Sequence, residues 1–138
     1  MKNIVKIILI GVFVLSSTVQ ADRFERRGDG VYDSDTKLVW QRVPSSSQYQ
    51  WQQAIEYCQS IGEKWRLPNL YELKSLVDYD RYNPAISTKL IEIKTDDYYW
   101  TSSIYKNNSS DAWIVNFKYG DDHWRDESSK YYALCVRG

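Results

Sequence analysis

A chain of 138 residues, 43% hydrophobic and 15% aromatic, has material for one core and not for two. Its 18 Lys and Arg balance 18 Asp and Glu, and the basic residues are scattered rather than gathered into a stripe, so nucleic acid is not an expected partner. One His and two Cys cannot supply the four nitrogen and sulfur ligands of a structural zinc site, nor a haem-attachment or iron–sulfur motif.

Residues 1–21 read as a secretory signal peptide. Lys2 and Lys6 form the basic head, 7–15 is an apolar run shorter than the roughly 20 residues that cross a bilayer, and Val19 and Ala21 place small residues at −3 and −1 of a cleavage site. Cutting after Ala21 removes two lysines, shifts the formal charge from zero to −2, and leaves 22–138 as a single exported domain, periplasmic or secreted. No Cys stands directly after the cut to carry a lipid anchor, so the membrane is expected to be met only during export.

Short strands are expected at 23–27, 31–33 and 38–41, punctuated by the turn-forming clusters Gly28-Asp29-Gly30 and Asp33-Ser34-Asp35-Thr36. From Trp51 the period becomes helical: Trp51, Ala54, Ile55, Cys58 and Ile61 share one face, and Gly62 stands where a C-terminal cap belongs. A second helix starts after Pro68, with Asn69 and Glu72 spaced as a capping box and Leu70, Leu73, Leu76 and Val77 forming its apolar face. Periodicity then lapses through 79–97, a long loop of the kind that often carries function. Strands return at 98–103, 112–119 and 131–137, separated by loops at 105–111 and 120–130.

In an oxidising compartment Cys58 and Cys135 allow one intramolecular bridge, closing a loop of about 77 residues. The rival reading, a catalytic thiol, has only His123 to serve as base.

The motifs Leu38-Val39-Trp40-Gln41-Arg42, Tyr57-Cys58, Trp65-Arg66-Leu67-Pro68-Asn69 with Glu72-Leu73, Tyr99-Trp100-Thr101-Ser102-Ser103, Ala112-Trp113 and Cys135-Val136-Arg137, in this order and spacing, resemble the Lcl C-terminal domain family. That family, long a domain of unknown function, is similar to C-type lectins and takes its name from the tip domain of a bacterial collagen-like adhesin. The resemblance runs from Val31 to the end of the chain. It implies an α+β, C-type-lectin-like fold, with two helices packed on a twisted antiparallel sheet, the chain ends close together, and a disulfide from the first helix to the last strand. Two positions depart from the pattern: Lys37 where many relatives have Gly, and Leu134 where an Arg often precedes the final Cys. The collagen-like stalk is absent, as are the Glu-Pro-Asn and Trp-Asn-Asp motifs of calcium-dependent sugar binding.

Trp40, Trp65, Trp100 and Trp113 sit among apolar residues and are expected in the core. Arg66, flanked by Trp65 and Leu67, needs a carboxylate once buried, and Glu72 is the expected partner. The better binding candidates are in loops. His123, Trp124, Arg125 and Asp126 bring an imidazole, an indole, a guanidinium and a carboxylate into 120–130, equipment for holding a sugar or a partner surface, and Tyr82 represents the long loop. Asp121, Asp122 and Asp126 are hard oxygen donors for a calcium ion, although no acidic stretch has the Gly-centred twelve-residue calcium loop. Hydrolysis would need His123, Asp121 and Ser128 or Ser129 to form a triad from one short loop, and no cofactor is expected. The sequence therefore reads as an exported, non-enzymatic binding module. A glycan or other envelope polymer is its first expected partner and a protein the second. An enzyme related to formylglycine-generating folds, which rely on cysteines that a bridge would occupy, ranks third.

Overall fold

The structure is a computed structural model that describes residues 4–13 and 22–138. Lys2 and the cleavage-site residues Val19 and Ala21 lie outside the described residues. Residues 4–13 form neither helix nor strand and are exposed.

The domain is α+β. Strands β1 (Phe24–Arg27), β2 (Gly30–Asp33) and β3 (Leu38–Gln41) precede helices α1 (Trp51–Ser60) and α2 (Leu70–Lys74). Strands β4 (Tyr98–Ile104), β5 (Asp111–Asn116), β6 (Asp122–Asp126) and β7 (Val136–Arg137) follow. They assemble into two antiparallel sheets, β1-β2-β3-β7 and β4-β5-β6, rather than one continuous sheet. The segment before β7 reaches the second sheet through a single bridge, Tyr132 to Tyr99, and pairs Tyr131 with Tyr49 ahead of α1. Residues 131–137 are thus not one long strand. The Ala133 amide donates to Ser45 Oγ (2.9 Å) and the Cys135 amide to Gln41 Oε1 (3.1 Å), so side-chain acceptors replace a regular ladder.

The turn between β2 and β3 is built around Asp33, whose buried carboxylate accepts from Arg23 Nε and Nη2 (both 2.7 Å), Thr36 Oγ1 (2.9 Å) and the Asp35 amide (3.0 Å). These bonds outweigh the burial that would raise its pKa and hold the carboxyl below its ordinary range. The turn closes at Lys37 with φ 61°, the left-handed region. A side chain there is strained by about 1 kcal/mol, which accounts for the glycine expected at this position. Leu134, the other departure, is fully buried in the core.

Helix α1 buries Ala54 and Cys58, as its periodicity predicts, but ends on Ile61 in the right-handed region, and the positive φ expected at Gly62 falls on Lys64 (65°). Helix α2 carries the capping box: Asn69 Oδ1 accepts from the Glu72 amide (2.8 Å), and Glu72 Oε1 accepts from the Asn69 amide (2.9 Å). It is shorter than its apolar pattern suggests. Leu76 follows it in a turn and Val77 in a single bridge to Ile86, both still buried.

Two apolar clusters flank the β4-β5-β6 sheet. Tyr99 and Val115 face a cluster with Trp40, Leu73, Leu76 and Phe117; Trp100, Ala112 and Ile114 face a second with Ala54, Cys58 and Cys135. Cys58 and Cys135 are bonded (S–S 2.12 Å) across a separation of 77 residues, tying α1 to the residue before β7. Trp40 and Trp100 are core residues. Trp65 and Trp113 are only half-buried, contrary to expectation: Trp65 lies beneath the Arg137 guanidinium (5.0 Å), and Trp113 ends against other aromatic rings.

Candidate functional site: two aromatic groups on one hairpin

Residues 120–130 are not one loop. Asp122–Asp126 is the edge strand β6, with Trp124 opposite Trp113, His123 opposite Ile114, and Asp122 opposite Val115. An edge strand has one neighbour and tolerates charged side chains, so its partner's apolar residues, not its own, hold it in place. A tight connection from β5 makes the pairing geometrically feasible: Asn116 Oδ1 accepts from the Lys118 amide (2.7 Å), and Gly120 has φ +85°.

Strand alternation separates the four binding candidates. His123 and Arg125 point to the face that carries Tyr98, and the imidazole meets Tyr98 edge-on at 5.8 Å. Trp124 points the other way. It stacks on Tyr105 (4.4 Å between centroids, 11° between planes) and meets Trp113 edge-on (5.3 Å, 71°). Trp113 in turn meets Tyr105 edge-on at 5.6 Å. Trp124 still leaves 41% of its surface to solvent. Three interlocked rings therefore present one open indole at the end of the sheet.

The remaining candidates have other duties. Asp126 accepts from the Ser128 amide (2.8 Å) and from Ser128 Oγ, bonds that hold its carboxyl below the ordinary range. Ser128 thus serves Asp126 rather than His123. Asp122 accepts from Lys74 Nζ (2.8 Å), while Asp121 is exposed and its backbone carbonyl, not its carboxylate, accepts from the Asn116 amide (2.8 Å). Asp122 and Asp126 stand four residues apart on a strand, roughly 13 Å, too far to share one ion. Among the described residues no group of three His, Cys, Asp or Glu gathers as a metal site.

Tyr82 belongs to a second aromatic group at the opposite end of the hairpin. The 79–97 segment has no regular element and docks on the β5–β6 turn through the Asn83 amide to Lys118 O (2.9 Å) and the Ala85 amide to Phe117 O (2.7 Å). This sets Tyr82 against Tyr119 (5.2 Å), both exposed, beside a cleft of about 300 Å³ lined by Arg81, Pro84, Ile86 and Ile91. The loops that carry the binding candidates thus divide. The 105–111 and 127–130 turns lie at the Trp124 end, and 79–97 lies at the Tyr119 end.

Over residues 29–137 the chain matches the family model of the Lcl C-terminal domain. The chain belongs to this family. No curated protein matches it significantly. In this Lcl C-terminal domain the Trp65–Pro68 motif is a joint. Arg66 Nη1 and Nη2 donate to Glu72 Oε1 (2.7 Å) and Oε2 (2.8 Å), while the Arg66 backbone exchanges both bonds with Val136 (2.9 Å each). The Arg66 bonds, against some desolvation and with help from the Asn69 amide, hold the Glu72 carboxyl below its usual range. The family's Trp100 donates from Nε1 to Tyr49 O (2.7 Å) and is structural. Reading residue by residue missed Tyr105 and Trp113 as neighbours of Trp124. The signal was in the alternation of 112–117, which puts Trp113 on the strand face opposite Ala112 and Ile114.

Proposed function

We propose that the protein is an exported, non-enzymatic binding module that holds a glycan or another envelope polymer on the Tyr105–Trp113–Trp124 platform. The observation that carries this reading is the 41% exposed Trp124 indole, fixed from behind by Tyr105 and from the side by Trp113. A ring immobilised before binding loses little entropy on contact, and an indole face complements the C–H face of a sugar. Lys106, Asn107 and Asn108 in the adjoining turn are exposed and supply hydrogen-bonding groups at its rim. Because the nearby carboxylates serve Lys74 and Ser128, the contact is expected to need no calcium. Export is supported by the leader pattern and by the disulfide. The test is retention of the exported protein on insoluble polysaccharides and envelope material, with and without chelator. Retention that survives chelator and is lost in Trp124→Leu supports the reading; retention by that variant equal to the parent's contradicts it. A protein partner is the second reading, favoured by the exposure of Tyr79 and Tyr82 at the other end.

A further inference from the structure

The cleft beside Tyr82 is built differently from the Trp124 platform. Its lining is aliphatic, with Ile86 and Ile91 buried, Ile93 half-buried and Pro84 exposed, and the Tyr82 ring is 63% open to solvent. The segment that forms it has no regular element, yet hydrogen bonds fix it at short intervals. Besides the Asn83 and Ala85 amides on the β5–β6 turn, the Ser87 amide donates to Leu76 O (2.8 Å), the Leu90 amide to Thr88 Oγ1 (3.1 Å), and the Glu92 amide to Arg42 O (2.9 Å). A cleft fixed before contact loses little entropy when it is filled.

Three charged residues line it: Arg81, Lys89 and Glu92. Glu92 accepts from Arg42 at 2.7 Å and is neutralised. Arg81 and Lys89 are exposed, and among the described residues neither forms an ion pair. An adjoining cleft shares Arg81, Thr88 and Lys89 and adds Asp22 and Arg23, of which Arg23 is engaged by Asp33 and Asp35. Asp78, Asp80 and Asp121 line neither cleft, nor does Lys118, whose Nζ lies 5.5 Å over the Tyr119 ring. The cleft itself therefore holds two free cations and no free carboxylate.

An apolar interior beside two cations selects its occupant. Few hydrogen-bonding groups stand free inside, since Thr88 accepts from Leu90 and Glu92 serves Arg42, so a sugar ring would bury hydroxyls without partners. An apolar side chain meets no such penalty. Arg and Tyr are also the residues that most often carry protein interfaces, and a guanidinium grips a carboxylate with two bonds. We infer that the cleft takes an acidic peptide segment of a partner protein, with one aromatic or large aliphatic side chain against Ile86, Ile91 and Tyr82 and flanking carboxylates on Arg81 and Lys89. This rests on the second reading above, a protein partner, and is independent of the Trp124 platform.

The experiment is a titration of the nitrogen-15-labelled exported protein, followed by amide NMR signals. The probes are the blocked pentapeptides Asp-Asp-Phe-Asp-Asp, Asp-Asp-Gly-Asp-Asp and Lys-Lys-Phe-Lys-Lys, with a five-unit oligogalacturonate as an acidic sugar chain. The acidic Phe peptide should shift the signals of 81–93, leave those of Tyr105, Trp113 and Trp124 in place, and bind about tenfold more tightly than either comparison peptide. In Arg81→Ala/Lys89→Ala, which alters exposed side chains only, its affinity should fall about tenfold. Equal affinity for the lysine peptide overturns the charge assignment, and equal affinity for the glycine peptide overturns the apolar anchor. Tighter binding of the oligogalacturonate at 81–93 overturns the peptide assignment. No shift at 81–93 with any peptide overturns the inference as a whole; retention on polysaccharide is measured separately, so that failure leaves the Trp124 platform standing.

Discussion

Trp124 has a part in stability as well as in the proposed contact, because its indole makes two aromatic pairs. Such pairs contribute about 0.5–1.5 kcal/mol each beyond area burial. Trp124→Ala is therefore expected to lower the free energy of unfolding by about 1–3 kcal/mol, whereas Trp124→Phe retains most of the stack and loses less; urea unfolding of the two variants reads the difference. A second residue-scale expectation concerns Arg66 and Glu72. Their bidentate pair is well aligned, but the Arg66 side chain keeps 43% exposure, so solvent screening limits the loss in Arg66→Ala to about 1–2 kcal/mol. An unchanged midpoint would remove the pair from the account of the joint. Glu72, by its bonds from Arg66, and Asp33, by bonds that overcome its burial, both have carboxyls depressed in the folded state. Their contribution is complete above the ordinary carboxylate range near pH 4 and is lost as pH falls through the depressed values. Urea midpoints should therefore be lower at pH 3 than at pH 6, with a smaller difference in Asp33→Asn; a midpoint that rises on acidification contradicts the assignment.

At the scale of elements, the bridge from α1 to the residue before β7 closes the longest loop in the molecule defined by a covalent bond. The chain-entropy account assigns about 4 kcal/mol to closing a loop of this length. Cys58→Ser/Cys135→Ser should lose stability on that scale, and the denatured, unreduced protein should show no reactive thiol. The β5–β6 turn depends on Gly120, whose φ of +85° and contact with Val77 exclude a side chain. Gly120→Ala is expected to destabilise by about 1–3 kcal/mol and to shift Tyr79 with the turn; thermal unfolding checks the first part and tyrosine footprinting the second. The elements legible in the sequence were those with an apolar period of their own. Strands β2 and β3, both helix starts and the capping box of α2 lie where the pattern put them. Strand β6 was not legible. Asp122-His123-Trp124-Arg125-Asp126 has one apolar residue, and what makes it a strand is the neighbour Asp111–Asn116 and the turn chemistry of Asn116 and Gly120. The end of α2 was overrun for the opposite reason: Leu76 and Val77 continue the apolar spacing, yet the Ser75 amide returns to Tyr71 O (3.0 Å) and Glu72 O (3.1 Å), and the chain turns there.

At the scale of the whole molecule, the family motifs hold two sheets, two helices and a disulfide together, and leave the ends of the β5–β6 hairpin free to carry surface. Trp124 was legible as a candidate because an indole among charges has no local burial. Its partners were not, since Tyr105 and Trp113 reach it only through strand pairing. The same pairing dispersed His123 and Arg125 to the opposite face, which no spacing within a supposed loop could reveal. The central claim is that the exposed indole is the contact and that its neighbours only hold it. It is tested most directly by comparing the parent protein with Trp124→Phe and Trp124→Leu for retention on one polysaccharide or envelope preparation, at matched folded fraction. Retention graded parent, then Phe, then Leu, with loss of at least tenfold in the last, is the predicted result. Equal retention by all three folded proteins would contradict it.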